Sequence, residues 1–320
     1  MKVLITGADG YIGRALARRL AAPGTTLQGQ TIDQLTLCDL RLPEAPQAPH
    51  VRAVSGSIAD AAVIEAITQN RPDVVFHLAS VPSGQSEADH ELGLKVNVHA
   101  MLALVEAVRR GGAAPTFVFT SSIAVFGAPL PARIDDDTPL RPSLSYGAQK
   151  QMAEIFLADC TRRGFLHARS LRLPGIVARP HTPTGALSAF SSELIRALVE
   201  QRPYVCPVSA SATLWLLSLQ ACIDNLLHAA QCPTERLGDH TVWTLPALRL
   251  SIGDLVQAFE AEHPGSAALI SHRPDAALEA QFGRLPPLTT ARADAAGFRH
   301  DGSVAELVRR ASRALEPSPA

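Results

Sequence analysis

The sequence has little net charge, no long apolar run and few cysteines, and each shortage excludes a class of protein. Its 29 basic and 30 acidic residues give a formal net charge of -1, so we expect neither nucleic acid nor an anionic membrane surface as a partner. No apolar run is long enough to cross a bilayer, and the start at Met1 lacks the features of a signal peptide. We therefore expect a cytoplasmic protein with no membrane partner.

The five cysteines are scattered and contain no Cys-x-x-Cys pair, which is typical of reduced thiols. The histidines are equally dispersed, and no His, Cys or carboxylate cluster has the spacing of metal ligands, so we expect no metal. What the chain does have is length and apolar content. Its 320 residues, 47% of them hydrophobic, suit an enzyme with a large core in one or two domains.

The first half of the sequence alternates short apolar strands with helical stretches. This alternation predicts a parallel sheet that helices cover on both faces. The predicted strands are Lys2–Thr6, Leu35–Asp39, Val51–Ser55, Asp73–Ala79, Pro115–Ser121 and Ala168–Leu173. The predicted helices are Ile12–Ala22, Ala61–Asn70, Glu87–Arg110 and Ser145–Arg163.

Beyond residue 173 the pattern loosens, and no linker separates two independent domains. Helices are predicted at 186–200, 219–231, 251–262 and 302–315, with short strands at 241–245 and 268–271. The sequence predicts an α/β fold with a Rossmann-type, doubly wound parallel sheet. Residues 1–173 form its body, to which later segments return; residues 174–316 form a smaller mixed α/β C-terminal substrate lobe, and 317–320 a tail.

A glycine-rich segment joins the first predicted strand to the first predicted helix. Gly7, Gly10 and Gly13 allow a tight turn, close approach of a pyrophosphate and close packing of the helix. The N–H groups at the start of that helix would hold the phosphates. The pattern predicts a dinucleotide site that includes Tyr11 and Ile12, against the alternative of a glycine turn without a ligand.

Asp39 ends the second predicted strand, where a carboxylate accepts hydrogen bonds from an adenosine ribose and repels a 2′-phosphate. This position favours NAD over NADP as the cofactor. Arg41 is the counter-signal, because its guanidinium would neutralise such a phosphate. The alternative for Asp39 is an ordinary residue of a strand-end turn.

Tyr146 and Lys150 are one helical turn apart in a predicted helix, so they share a face. A lysine cation beside a phenol favours the phenolate and lowers the tyrosine pKa from its ordinary value of about 10. The pair then forms a general base or acid for hydroxyl and carbonyl chemistry. The spacing also occurs as an ordinary exposed helix pair, so it needs the support of the other motifs.

Taken together, these motifs resemble the extended short-chain dehydrogenase/reductase family over almost the whole chain. The resemblance rests on the glycine loop, Asp39, Gly56–Asp60, His77–Ser80, Asn97, Thr120–Ser122, Tyr146, Lys150 and Arg172–Gly175. It implies an NAD-dependent enzyme.

The resemblance also implies where the cofactor lies. Ser57 and Ile58 would flank the adenine, and Leu173 to Ile176 would border the nicotinamide. Lys150 would bind the hydroxyls of the nicotinamide ribose. Further residues would pass along the phosphoribose portion: Leu78, Ala79 and Ser80.

The family's catalytic serine corresponds to Ser122, whose hydroxyl would bind the reacting oxygen. Ser121 is the near competitor, and for either serine the alternative is a strand-end hydroxyl that caps the backbone. Tyr146 would move the proton, and Asn97 with Lys150 would relay it outward.

Two departures from the family pattern restrict the possible substrates and reactions. Epimerases of nucleotide sugars usually carry an arginine that holds the diphosphate, but residues 212–219 contain neither arginine nor lysine, which argues against such a ligand. Ile123 and Ala124 stand where the family's dehydratases carry acidic residues, so elimination chemistry is not expected.

The C-terminal half resembles one subgroup, the D-erythronate dehydrogenases, in residues 172–180, 188–192, 213–216 and 224–226. This implies oxidation of the C2 hydroxyl of a small sugar acid, with D-erythronate to 2-dehydro-D-erythronate as the leading candidate. An epimerase with retained NAD, and a non-catalytic NAD-sensing module, are the alternatives. The resemblance also implies a homodimer built from the two long helices.

A small acid needs a cation for its carboxylate, and Arg179 is the candidate; a surface arginine that caps the loop is the alternative. Ser80, Thr184 and His181 offer hydrogen bonds to hydroxyls, beside Ser122 and Tyr146. Trp215 is placed at a helix start, where it either closes over the substrate or belongs to the core.

Overall fold

The computed structural model describes residues 1–179 and 189–315. The predicted tail at 317–320 and the candidates His181 and Thr184 lie outside the described residues. The chain folds into two compact units. Unit 1 comprises Met1–Val125, Pro142–Arg172 and Ile223–Trp243, and unit 2 comprises Phe126–Arg141, Leu173–Cys222 and Thr244–Ala320.

The strands of three or more residues are numbered in chain order. They are β1 Lys2–Thr6, β2 Gln34–Asp39, β3 Val51–Ser55, β4 Val74–His77, β5 Thr116–Ser122, β6 His167–Leu173, β7 Gly175–Val177, β8 Tyr204–Cys206, β9 Thr213–Ser218, β10 Val242–Thr244, β11 Leu248–Ser251 and β12 Ile270–His272.

The α-helices are numbered in the same way. They are α1 Tyr11–Ala21, α2 Ala61–Thr68, α3 Ser83–Ala88, α4 His90–Gly93, α5 Met101–Arg110, α6 Ser145–Arg162, α7 Phe190–Val199, α8 Leu219–Gln231, α9 Thr234–Leu237, α10 Ile252–Glu262, α11 Ala276–Phe282, α12 Ala291–Ala296 and α13 Val304–Arg313.

A seven-stranded sheet in the order β10-β6-β5-β4-β1-β2-β3 organises unit 1. β1 pairs in parallel with β2 and β4, so that Thr6 lies opposite both Cys38 and His77. The carboxyl ends of these strands therefore meet at one edge, where doubly wound folds bind their ligands. The predicted α/β fold class is confirmed.

Apolar side chains of the strands pack this sheet against the helices. Leu4, Val75 and Phe117, from three neighbouring strands, belong to one buried cluster with Leu104 of α5 and Leu157 of α6. Full burial of such a side chain contributes about 1.5–3 kcal/mol. Since both faces are covered, the strands read as continuous apolar runs rather than as alternating ones.

The predicted long helix Glu87–Arg110 is interrupted in the structure. It breaks at Asp89, whose carboxylate accepts the backbone N–H of Leu92 and caps α4. Residues Leu94–Ala100 then form a π-helix that leads into α5. A π-turn places one extra residue in the turn, and Asn97 lies in the middle of this segment.

Unit 2 contains a mixed three-stranded sheet in the order β11-β9-β7, in which β9 is antiparallel to β11 and parallel to β7. Its core cluster includes Leu194 of α7, Leu216 of β9, Leu255 of α10 and Leu307 of α13. The sequence did not predict β7, β8, β9 or β11.

Neither a membrane-spanning helix nor a metal cluster occurs in the part of the chain that the structure describes. No helix there has the length and hydropathy that crossing a bilayer requires. No group of three or more His, Cys, Asp or Glu residues is arranged there to hold a metal ion.

Candidate active site

The glycine loop forms the turn between β1 and α1, and its backbone excludes side chains at two positions. Gly7 has a φ of +74°, and a Cβ there would lie 2.5 Å from the backbone nitrogen of Ala79. A Cβ at Gly13 would lie 2.0 Å from the carbonyl oxygen of Gly7. Both distances are far below van der Waals contact, so the close packing of α1 and β4 on this turn requires glycine.

Gly10 precedes α1 at the N-cap position, and no side chain caps the helix there. A Cβ at Gly10 would meet only the carbonyl oxygen of Gly7, at 3.2 Å. The positive end of the α1 dipole therefore has no capping side chain, which leaves room for an anion. This loop, with Tyr11 and Ile12 opening the helix, fits a pyrophosphate.

Asp39 lies at the carboxyl end of β2, beside the glycine loop. Its carboxylate accepts the backbone N–H of Asp9 at 2.9 Å and that of Leu40 at 2.7 Å. Burial raises its pKa, and these two hydrogen bonds oppose the rise. Arg41 is exposed. These bonds fix the carboxylate beside the glycine loop; its role in binding the ribose stays a prediction.

The remaining cofactor candidates of unit 1 lie at the same sheet edge. Ser57 and Ile58 follow β3, before the N-cap of α2. Leu78, Ala79 and Ser80 follow β4, and the backbone N–H of Leu78 donates to the carbonyl of Thr6 at 3.0 Å.

Two neighbouring serines at the end of β5 have different environments. Ser121 is buried, and its hydroxyl donates to Glu154 at 2.5 Å. Ser122 is half-buried, and its Oγ accepts the backbone N–H of Ala124 at 3.1 Å. Because that bond uses an acceptor site of Ser122, its O–H remains able to donate to a substrate oxygen. The structure thus favours Ser122 over Ser121 as the candidate catalytic serine.

Tyr146 and Lys150 lie in the first two turns of α6. The Lys150 Nζ is 5.4 Å from the centre of the Tyr146 ring and donates to the carbonyl of Thr120 at 2.8 Å. A Cβ at Gly147 would come within 2.4 Å of the Ala124 carbonyl oxygen. Glycine at this position therefore brings the start of α6 against the segment that follows Ser122.

The Lys150 side chain is buried, and its Nζ lies 4.7 Å from the centre of the Phe119 ring. Burial lowers the Lys150 pKa to about 7, and the carboxylate of Glu154 opposes the fall. Burial, with a contribution from Lys150, also lowers the pKa of His77 to about 3. His77 is therefore uncharged at neutral pH, and Lys150, whose pKa lies near neutrality, supplies the local positive charge when it is protonated.

The side chain of Asn97 joins three segments. Its Oδ1 accepts the backbone N–H of Val81 at 2.7 Å, while its Nδ2 donates to Gln149 at 2.7 Å and to Ser86 at 3.2 Å. These bonds tie the π-helix to the residues after β4 and to α6, next to Lys150. The relay role predicted for Asn97 stays a prediction; the observed contacts make its side chain a brace.

The other candidates belong to unit 2. Leu173 and Ile176 are buried, and Arg179 is half-buried. Arg179 lies near Cys222, where it opposes the burial that raises the pKa of that thiol to about 12. Trp215 lies within β9 rather than at a helix start; it is 1% exposed, and its indole N–H donates to the Pro286 carbonyl at 2.8 Å.

The family model for the NAD dependent epimerase/dehydratase family matches residues 3–215, which is more than half of the chain. The chain belongs to this family. The resemblance found in the sequence is thereby confirmed, and NAD is its cofactor, in agreement with the glycine loop and Asp39.

Two curated members of the family match much of the chain. The D-erythronate dehydrogenase of Cupriavidus necator is 41% identical over 314 residues, which covers 97% of each chain. The D-erythronate dehydrogenase of Haemophilus influenzae is 35% identical over 257 residues, which covers 80% of each.

Two solved structures show the same fold. A nucleoside-diphosphate-sugar epimerase from Agrobacterium tumefaciens superposes with a TM-score of 0.90 at 34% identity, covering 96% of this chain and 92% of that one. An L-threonine dehydrogenase from Cupriavidus necator superposes with a TM-score of 0.85 at 22% identity, covering 99% and 100%.

Glu154, Gln149 and Arg172 were missed as candidate site residues, although each contacts the site. Glu154 follows Lys150 by one helical turn and forms a two-pronged ion pair with Arg172, with N–O distances of 2.9 and 2.8 Å. The four-residue spacing on α6 was the one signal available in the sequence. The ion pair with Arg172 joins a helix to a strand, so no local pattern in the sequence indicates it.

Proposed function

We propose that the chain oxidises the C2 hydroxyl of a small sugar acid with NAD, and that its substrate is D-erythronate, which yields 2-dehydro-D-erythronate. The observation that carries this proposal is the 41% identity to the Cupriavidus necator enzyme over 97% of both chains. That match includes unit 2, where the family varies its substrate. The proposal also agrees with the absence of arginine and lysine from residues 212–219.

In the proposed reaction Tyr146 removes the proton of the C2 hydroxyl. Bound NAD would supply the acceptor for the hydride that leaves C2. Ser122 donates a hydrogen bond to the reacting oxygen and stabilises its charge. Lys150 holds a positive charge next to the Tyr146 ring, which favours the phenolate. After its bond to Thr120, Lys150 retains N–H groups for the nicotinamide ribose and for returning the proton to solvent.

Arg179 is the proposed clamp for the carboxylate of the acid. Guanidinium groups bind carboxylates through two parallel hydrogen bonds, which fix orientation as well as charge. Thr184 and Ser80 stay proposed ligands of the substrate hydroxyls. Leu173 and Ile176 stay the proposed border of the nicotinamide.

A screen of C3 to C6 sugar acids tests the proposal. The purified enzyme is mixed with each acid and with NAD or NADP, and the formation of reduced cofactor is followed. We expect D-erythronate with NAD to give the highest kcat/KM. Turnover of other acids with none on D-erythronate would remove the substrate assignment and leave the dehydrogenase assignment intact.

The Agrobacterium tumefaciens structure supports a second candidate, a sugar epimerase that retains its NAD. Such an enzyme oxidises and re-reduces its substrate, so it forms no net NADH. Interconversion of two epimers without accumulation of NADH, for a simple or nucleotide sugar, would establish this alternative. The residues of unit 1 serve both reactions, and only the substrate distinguishes them.

We propose a cytoplasmic homodimer that pairs through α6. Two large apolar side chains of this helix are exposed, Met152 at 48% and Ile155 at 65%, and a second copy would cover both in a two-fold interface. Light scattering on the purified protein measures the mass. A monomer at micromolar concentration would refute the dimer, and Ile155→Glu should weaken it if the interface is correct.

A further inference from the structure

Behind Lys150 and Ser122 lies a buried ionic cluster of Ser121, Glu154 and Arg172. The side chain of Glu154 is 4% exposed and that of Arg172 is 12% exposed. Glu154 accepts the hydroxyl of Ser121 and both prongs of Arg172. One carboxylate thus ties α6 to the ends of β5 and β6. A buried ion pair of this kind contributes little net stability. Stability therefore does not explain why the pair lies beside the proposed reaction centre.

The charge of Glu154 acts more strongly on Lys150 than on Tyr146, because Lys150 is closer along the helix. Glu154 is one turn from Lys150, about 6 Å along the helix axis, and two turns from Tyr146, about 12 Å. Charges interact strongly at the shorter distance in a buried setting. A carboxylate at Glu154 therefore favours the ammonium form of Lys150, while Arg172 partly cancels that effect.

We propose that Glu154 is a positioning residue for the reaction. Its carboxylate maintains the positive charge of Lys150 beside Tyr146, and the guanidinium of Arg172 weakens this effect. This inference rests on the proposed roles of Tyr146 and Lys150. Ser121 donates a hydrogen bond to this carboxylate but carries no charge of its own.

The charge of Lys150 depends on the groups that face it. Burial lowers the Lys150 pKa to about 7, and Glu154 is the group that raises it. His77 of β4 stays uncharged, since its pKa is lowered to about 3. Tyr146 and Glu154 face Lys150 from its own helix, and Arg172 of β6 stands behind Glu154. Without Glu154 the Lys150 pKa would fall further, and the phenolate of Tyr146 would lose part of the positive charge that supports it.

The test reads the ionisation of Tyr146 directly. The chain has three tyrosines, so the ultraviolet difference between a protein and its Tyr146→Phe partner reports the phenolate of Tyr146 alone. The titration is run on wild type, Glu154→Gln, Arg172→Gln, the double variant Glu154→Gln/Arg172→Gln, and Ser121→Ala. Circular dichroism establishes which variants are folded, and the double variant avoids an unpaired buried charge.

Opposite shifts are expected from the two partners. Glu154→Gln should raise the midpoint of the Tyr146 titration by about one pH unit or more, and the double variant by less. Arg172→Gln should lower it, because the carboxylate then acts uncompensated. Ser121→Ala keeps both charges and should leave the midpoint unchanged.

Two results would overturn the proposal. One is an unchanged midpoint in a folded variant that lacks Glu154. The other is a shift of the same sign in Glu154→Gln and Arg172→Gln, which a purely structural cluster would produce. The titration needs no substrate, so a failure of the D-erythronate assignment leaves it readable. The kcat/KM profile on the true substrate should then move in the same direction as the midpoint.

Discussion

Unit 1 holds its candidate residues at strand ends and in the first turns of two helices, whereas unit 2 holds its own on and after the strands of a small mixed sheet. In unit 1 the backbone itself sets the positions, since a Cβ at Gly7, Gly13 or Gly147 would collide with backbone atoms. In unit 2 the residue proposed to bind the substrate carboxylate, Arg179, lies after the end of a strand and would act through its side chain. The first arrangement permits little change and suits a cofactor that the whole family shares. The second arrangement allows the substrate-binding side chains to differ between members of the family, which suits a substrate that varies.

The largest effect is expected from removal of the proposed proton-transfer group of unit 1. Tyr146→Phe keeps the ring beside Lys150 and removes the hydroxyl. General acid–base catalysis contributes about 10²–10⁴-fold, so kcat should fall by roughly that factor, while NAD binding followed by calorimetry stays nearly unchanged. Full turnover by this variant would refute the assignment of Tyr146.

The sequence predicted this part of the site because its signals are local. A glycine turn between a strand and a helix, and a tyrosine and lysine four residues apart, are visible without knowledge of distant contacts. The partners that set their chemistry are not local. Asn97 reaches Gln149 52 positions away, and no periodicity in the sequence indicates such a bond.

A second prediction separates folding from cofactor binding within the glycine loop. Gly13→Ala places a Cβ 2.0 Å from the Gly7 carbonyl oxygen, so the loop must shift. We expect a loss of about 1–3 kcal/mol in the free energy of unfolding, the usual range for overpacking. Denaturant titration without cofactor measures this loss.

Gly10→Ala is the matched control in the same loop. Its Cβ would meet the Gly7 oxygen only at 3.2 Å, so unfolding in the absence of cofactor should change little. It should still weaken NAD binding, because the methyl group occupies space that a pyrophosphate needs. Equal effects of the two substitutions on unfolding would contradict the packing argument.

The sequence was a poorer guide to unit 2. The run Thr213–Leu217 is apolar without alternation, so periodicity alone does not distinguish a buried strand from a helix segment. β9 is such a strand, and Trp215 within it is a core residue whose indole bonds to Pro286. Its contacts provide no support for closing over a substrate. Of the two described unit 2 residues that the sequence proposed for the substrate, Arg179 is therefore the one whose side chain can bind a carboxylate.

Arg179→Ala therefore probes the less constrained side of the comparison, where the effect should be smallest. Loss of a hydrogen bond to a charged group costs about 1.5–3 kcal/mol, which corresponds to an increase in KM for the acid of about 10- to 150-fold. The KM for NAD and the unfolding free energy should change little. Arg41→Ala, which removes an exposed arginine of unit 1, should leave the KM for the acid unchanged. If Arg179→Ala instead raises the KM for NAD and leaves that for the acid untouched, the carboxylate clamp lies elsewhere in unit 2 and Arg179 belongs with the cofactor.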